Sequence, residues 1–174
     1  TAAQFLRFLA AWQHVTEERR LDGPRGVAEV VSQLAGFEVP AASWEASVLP
    51  AHVRGYRREW LDQLTLSGEV AWGRLWGGGA SAIRSTPVCL LPREDLAKWT
   101  TLAPPTDSTT LASDARLVFD ELTSSGAMFP QEIAWKTRLL PSQVDDGLAE
   151  LVGRGLVTCD SFSGLRALIV PPSR

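Results

Sequence analysis

The apolar residues of one central stretch change from helical to alternating spacing. Over 60–68 they recur at helical intervals, and a Ser-Gly pair ends that pattern. From Glu69 the period is two, which is typical of a strand with one buried face. Three glycines at 77–79 suit the positive-φ turn of a hairpin, and 83–91 supply the returning strand. A helix that runs directly into a hairpin predicts the second half of a winged-helix unit, with its wing at 69–91.

Further amphipathic segments precede this stretch. Residues 3–15 place Phe5, Leu9 and Trp12 on one helical face, which predicts a helix packed against the core. Two shorter helices follow, each with a proline at its start. Residues 1–102 are therefore predicted to form a helical region plus a winged-helix-like module.

The stretch 103–110 is rich in proline and hydroxyl side chains, which is the composition of a linker. Beyond it, 111–174 show a helix, a short extended piece, two more helices and two short strands around a turn at 161–164. This order predicts a second winged helix whose hairpin covers 156–170. The predicted fold class is α+β, mainly α, with tandem winged-helix modules that each carry a small antiparallel wing hairpin.

The charge of the chain is unevenly distributed. Residues 1–103 hold 11 basic and 11 acidic side chains, whereas 104–174 hold 6 basic and 9 acidic, which gives the net charge of −3. The third helix of the second module turns Asp145, Asp146 and Glu150 outward, and carboxylates repel phosphate. Any nucleic-acid contact is therefore expected in the first half, and the second module is expected to be a packing or partner surface.

The most basic stretch of the sequence contains Arg54, Arg57 and Arg58 around Tyr56. Guanidinium groups bind phosphate through paired hydrogen bonds, and an aromatic ring between them can stack on a base. These arginines are candidate nucleic-acid-binding residues. A solvated turn before the next helix explains the same pattern equally well.

The predicted first wing supplies the other candidates. Trp72 and Arg74 share a strand face, Trp76 stands beside the glycine turn, and Arg84 lies on the returning strand. An exposed wing-tip tryptophan can stack on an unpaired base. The alternative for Trp76 is packing against a neighbouring domain. Four of the other tryptophans lie on apolar helical faces and are expected in the core, namely Trp12, Trp44, Trp60 and Trp135.

The sequence shows no motif for catalysis or metal binding. Its glycine run lacks the lysine and helix of a phosphate-binding loop, and two histidines with two cysteines at scattered positions do not predict a zinc site. The few cysteines favour a reducing cytoplasm, and no apolar run approaches the roughly 20 residues that span a bilayer. The start at Thr1 and the single Met128 suggest a piece of a longer protein.

Several short blocks of sequence, in order over nearly the whole chain, carry a family resemblance. They are Phe5–Leu9, Trp12–Val15, Gln33–Glu38, Pro40–Glu45, Trp60–Leu75, Arg84–Pro87, Gly155–Thr158 and Phe162–Leu168. Together they resemble the bacterial large helicase-related proteins (Lhr family), in an accessory winged-helix region downstream of the ATPase motor.

The resemblance implies a parent that is an ATP-driven translocase on single-stranded DNA, which unwinds duplexes or DNA–RNA hybrids in repair. This chain would be a noncatalytic DNA-contacting accessory region, whereas ATP and Mg would be bound by motor domains of the same polypeptide. The alternative is an assembly module that forms a homo-oligomer or holds the motor in place. Accessory regions of this family also resemble bacterial DNA glycosylases with a Gln-apolar-Gln pair; this sequence lacks that pair, so base excision is the least favoured expectation.

Overall fold

The computed structural model of the protein describes residues 1–76, 83–105, 108 and 110–169, apart from the side chain of Arg84. The helices within these ranges are α1 (Ala2–Trp12), α2 (Gly23–Gln33), α3 (Ala41–Ser43), α4 (Leu49–His52), α5 (Arg58–Leu66), α6 (Leu96–Leu102), α7 (Ser113–Ser125), α8 (Pro130–Thr137), α9 (Pro141–Gly153) and α10 (Phe162–Ile169). The strands are β1 (Leu21–Asp22), β2 (Val39–Pro40), β3 (Val53–Arg54), β4 (Val70–Gly73) and β5 (Pro87–Pro92). A π-helical turn, Trp44–Val48, joins α3 to α4. None of the described helices is both long enough and apolar enough to cross a membrane.

The first half of the chain has the winged-helix arrangement. Helix α2, the α3–α4 segment and α5 pack beside an antiparallel sheet in the order β2-β5-β4. The pairing of Val70 with Pro92 and of Gly73 with Cys89 confirms the predicted first hairpin. Its returning strand begins at Pro87 because residues 83–85 form a single 3₁₀ turn. The glycine turn at 77–79 lies outside the described residues.

The core of this unit lies between α2, the π-helical turn and the sheet. Val27, Val30 and Val31 of α2 are fully buried, as the amphipathic pattern requires. Trp44 is also fully buried, and its indole N–H donates to the backbone carbonyl of Val88 at 2.9 Å. This hydrogen bond joins the second helical segment to the central strand, and it confirms the core position expected for Trp44.

Helix α1 forms where the sequence predicts a helix, but its apolar face is not covered. No residue of α1 is buried, and Phe5, Leu6, Phe8 and Trp12 are each more than half exposed. The core position expected for Phe5 and Trp12 is wrong for this structure. The spacing of apolar residues shows which side of a helix is apolar, but not which part of the protein covers it.

The second unit is a three-helix bundle of α7, α8 and α9. Its core contains Ala115, Val118, Ile133, Val144 and Leu151. Helices α7 and α9 come close where α9 carries Gly147, since an added Cβ would lie 3.3 Å from the Cα of Ala115. Trp135 of α8 points away from this core and is exposed, so its expected core position is also wrong.

The predicted second wing hairpin at 156–170 is wrong: residues Phe162–Ile169 form helix α10. Phe162, Leu165 and Ile169 recur at helical spacing and are buried in the core of the first unit rather than in that of the three-helix bundle. The Ser161 hydroxyl accepts a hydrogen bond from the backbone N–H of Gly164 at 3.2 Å, which is the geometry of a helix N-cap. The fold is therefore mainly α with one described wing, and α10 packs against the first unit rather than against the three-helix bundle.

Candidate nucleic-acid interface

In a winged helix, the third helix commonly reads DNA, and α5 holds that place here. Leu61, Leu64 and Thr65 face the core. The opposite side exposes Glu59, Gln63 and Leu66 in the described structure. After its first residue α5 contains no basic side chain. This outward side therefore offers little attraction for phosphate, and the cations of the region lie at the N-terminal end of the helix.

Arg54, Arg57 and Arg58, the arginine cluster, lie at the first residue of α5 or within the four residues before it, and all are exposed. Arg54 of β3 donates to the backbone carbonyl of Glu17 at 3.3 Å. Arg57 lies directly before α5, and its guanidinium carbon is 5.7 Å from the ring centroid of Trp60. The three guanidinium groups therefore lie near one another in sequence and remain open to solvent.

The aromatic residue between these arginines packs inward, so it is not positioned for base stacking. The Tyr56 hydroxyl donates to Glu45 Oε1 at 3.1 Å, and its ring meets Trp60 edge to face. Burial raises the pKa of the Tyr56 phenol well above its ordinary value, and the Glu45 carboxylate raises it further. Gly55 in the left-handed region (φ +57°) turns the chain between Arg54 and Tyr56. The turn therefore exposes the arginines while it buries the tyrosine.

A half-buried ion cluster lies beside the arginine cluster. Arg166 of α10 donates to both carboxylate oxygens of Glu45 at 2.8 Å and to those of Asp62 at 3.1 and 3.3 Å. Hydrogen bonding to Glu45 raises the pKa of the guanidinium above its ordinary value, against the opposing effect of burial. Sequence analysis missed this cluster because Arg166 pairs with residues more than 100 positions away, and no local pattern reports such a contact.

The base of the first wing is closely packed. Trp72 is only 2% exposed, its indole N–H donates to the carbonyl of Ser161 at 3.3 Å, and its ring meets Phe162 edge to face. Arg74 donates to the carbonyl of Gly153 at the end of α9. An added Cβ on Gly155 would lie 2.6 Å from the Arg74 carbonyl oxygen, so the wing and the end of α9 are in direct contact. Trp72 is a core residue and Arg74 joins the two units.

Trp76 is half-exposed but has local cover. Its indole N–H donates to the carbonyl of Gly36 at 2.7 Å, and its ring meets Trp99 edge to face at 6.2 Å. The Glu38 carboxylate accepts the backbone N–H of Trp76 at 3.0 Å. The predicted wing tip at 77–82 and the side chain of Arg84 lie outside the described residues.

The candidate residues do not form one continuous site. Arg54 lies 3.9 Å from Asp22, which directly precedes α2, whereas Trp76 contacts Gly36 beyond the other end of that helix. A helix of 11 residues spans roughly 16 Å. The structure therefore places Trp76 apart from Arg54, at the other end of α2.

The structure bears on two of the chemical possibilities, metal binding and the Cys89 thiol. No group of three or more His, Cys, Asp or Glu side chains within the described ranges could hold a metal ion. Cys89 is fully buried, and burial raises the pKa of its thiol to about 12. Such a thiol stays protonated at neutral pH and is a poor nucleophile.

Three helical segments, a three-stranded antiparallel sheet and a wing between β4 and β5 define a protein of the winged-helix class. The chain belongs to the family of large helicase-related proteins, because residues 1–93 match its description "Large helicase-related protein, winged-helix domain". The matched residues end at the close of β5, so they contain the whole winged helix together with α1.

Two curated relatives extend the match. The "Lhr helicase/probable uracil glycosylase" of Mycolicibacterium smegmatis (strain ATCC 700084 / mc(2)155) is 31% identical over 178 residues, which cover 98% of this chain and 11% of that protein. The "Lhr helicase/uracil glycosylase" of Escherichia coli (strain K12) is 31% identical over 153 residues, 84% of this chain and 10% of that protein. The chain spans about a tenth of the length of either relative.

Proposed function

We propose that this chain is a noncatalytic, DNA-contacting accessory region of an ATP-dependent helicase or translocase that acts in DNA repair in the cytoplasm. Its ligand would be single-stranded DNA or a DNA–RNA hybrid. ATP and Mg would be bound by motor domains of the same polypeptide. Membership of the large helicase-related family and the helicase names of both relatives support this assignment.

One observation carries the proposal: three exposed arginines lie at the first residue of the third helix of a winged helix or within the four residues before it. The free backbone N–H groups and the dipole of a helix favour anions at that end. In the first turn of α5 the N–H of Trp60 donates to the Arg57 carbonyl at 3.1 Å, and no side chain caps the helix. Phosphate oxygens would therefore meet both helix and side-chain donors.

The proposed contact is with the backbone of the strand rather than with base edges. The outward side of α5 holds Glu59, Gln63 and Leu66, a set without the cations that hold a reading helix against phosphates. Backbone contacts carry no sequence information, which suits a protein that moves along a strand. We therefore expect weak sequence preference and strong dependence on salt.

The test is a titration of labelled single-stranded DNA with the wild-type chain and with the variant in which Arg54, Arg57 and Arg58 all become alanine. Each lost phosphate contact on single-stranded nucleic acid lowers the slope of log K against log salt by about 0.7, so we expect the slope to fall by about 2. A control variant removes three exposed cations on other elements, by alanine at Arg7, Lys98 and Lys136. Equal binding by the arginine-cluster variant and wild type would exclude the cluster as a contact.

A second candidate function is assembly, and the uncovered face of α1 favours it. Phe5, Leu6, Phe8 and Trp12 together expose an apolar stripe of the kind that marks protein interfaces. The chain would then form a homo-oligomer or pack against the motor, with little direct contact to DNA. Sedimentation of the same samples separates the candidates, because a monomer that binds DNA contradicts assembly, and an oligomer without DNA affinity contradicts the first proposal.

A further inference from the structure

Glu45 is a buried carboxylate that two arginines approach. Its side chain is only 9% exposed, and Arg166 holds both of its oxygens at 2.8 Å. Arg58 approaches the same carboxylate with its Nε 3.9 Å from Oε2, which is beyond hydrogen-bond distance. The Arg58 side chain is 68% exposed. Arg166 therefore occupies the carboxylate, and Arg58 stays in solvent beside it.

Asp62 completes the same arrangement. The Arg166 guanidinium donates to both Asp62 oxygens, so one cation serves two carboxylates on the winged-helix unit. A buried carboxylate without a cation is costly, and a flexible arginine nearby would be drawn to it. Arg58 is the arginine of the cluster that lies within reach of Glu45 in the described structure.

We propose that Arg166 is a positioning residue for the arginine cluster: by holding Glu45 it leaves Arg58 free to bind a phosphate. This inference rests on the proposed DNA contact. In this arrangement α10, which carries Arg166, controls a phosphate contact that Arg58 of α5 makes. When Arg166 is lost or α10 detaches, Arg58 folds back onto Glu45 and one phosphate contact disappears.

The test is a double-mutant cycle on single-stranded DNA binding, with affinities expressed per folded molecule. In the wild-type background, Arg58→Met lowers affinity and reduces the salt slope by about 0.7. In the Arg166→Met background, the same change at Arg58 has no further effect, because Arg58 already pairs with Glu45. Adding Glu45→Gln to Arg166→Met releases Arg58 and restores its contribution.

Arg57→Met is the matched control, since Arg57 lies over the Trp60 ring and belongs to the same cluster. Its effect on binding is expected to be the same in both backgrounds. If Arg166 has only a structural role, the amount of folded protein falls while the Arg58 effect persists after Arg166→Met. Persistence of that effect overturns the inference.

A second measurement needs no DNA and separates this inference from the proposed function. Solvent exchange of the Arg58 Nε–H, followed by NMR, becomes slower in Arg166→Met as Arg58 moves from 3.9 Å into hydrogen-bond contact with Glu45. Should Arg166→Met fail to fold, Arg166→Lys serves instead, because a lysine cannot fork onto both carboxylates. Absence of DNA binding by the wild type refutes the proposed function; unchanged exchange at Arg58 in a folded Arg166 variant refutes the positioning role.

Discussion

The substitution Phe162→Ala tests the docking of α10, the feature that most changes the predicted architecture. Phe162 is 1% exposed, and its ring meets Trp72 edge to face at a centroid distance of 6.4 Å. Its backbone N–H also donates to the Thr65 hydroxyl of α5 at 3.3 Å. In the predicted hairpin the same residue would instead lie in the exposed turn at 161–164, where truncation would cost little.

The expected loss follows from the burial of the ring. Truncation of a buried phenylalanine to alanine costs about 3–5 kcal/mol, which includes lost transfer energy and the cavity left behind. The edge-to-face pair with Trp72 places the value in the middle of that range or above it, since such pairs add about 0.5–1.5 kcal/mol. Domains are commonly stable by only about 5–15 kcal/mol, so the effect is large.

Urea denaturation followed by tryptophan fluorescence gives the free energy of unfolding, and Phe129→Ala provides a matched control. Phe129 is 75% exposed, so the same chemical change there is expected to lie within about 0.5 kcal/mol of wild type. A Phe162→Ala variant that loses less than about 1 kcal/mol, and so resembles the control, would contradict the docking of α10.

Two further predictions concern the turns beside the site. Tyr56 is the only tyrosine of the chain, and burial raises its pKa above the ordinary value of about 10. The stabilisation that the neutral phenol provides is therefore complete below pH 10 and is lost as pH rises beyond it. Near-ultraviolet difference absorbance should show tyrosinate only as the protein unfolds, and its appearance near pH 10 in a folded protein would contradict this environment. Gly36→Ala should destabilise the protein by about 1–3 kcal/mol in urea unfolding, because φ is +74° and an added Cβ would overlap the Trp99 ring. Gly55→Ala, where φ is +57° and no atom lies within 4 Å of the new Cβ, should cost less, and equal losses at the two glycines would exclude the Trp99 contact as the cause.

The first wing could be predicted from the sequence because its signals are local. Helix α5 ends at Leu66, and four residues later β4 begins, so the change of period and the terminating glycine are adjacent in the chain. The central strand β5 is a continuous apolar run between two prolines. Each element can therefore be inferred from a window of about ten residues.

Helix α10 could not be predicted in the same way. A short apolar run such as 165–170 fits a buried strand and a buried helix equally well. Phe162 contacts Trp72 and Thr65, which lie more than 80 positions away along the chain. These tertiary contacts stabilise the helix rather than the strand. Ser161, which caps the helix, is one local sign of it, but serine is also a common turn residue.

The tryptophans show the same limit at the level of single side chains. Trp44 and Trp135 both lie on apolar helical faces, yet the first is fully buried and the second is exposed. Periodicity identifies an apolar face, but burial depends on whether another element covers it. Trp72 is covered by α10, a segment that the sequence pattern predicted to be part of a hairpin in the second module.

The charge count of the first half changes once α10 is included. Residues 1–103 are neutral by sequence, with 11 basic and 11 acidic side chains. Arg166 comes from the acidic half and neutralises Glu45 and Asp62 of the first half. The first unit with its docked helix therefore has one more cation than its own sequence supplies, and two of its carboxylates are held by a single guanidinium. In the proposed positioning role, Arg58 keeps its exposure because a distant arginine holds the Glu45 carboxylate beside it, which is a property of the fold rather than of the local sequence.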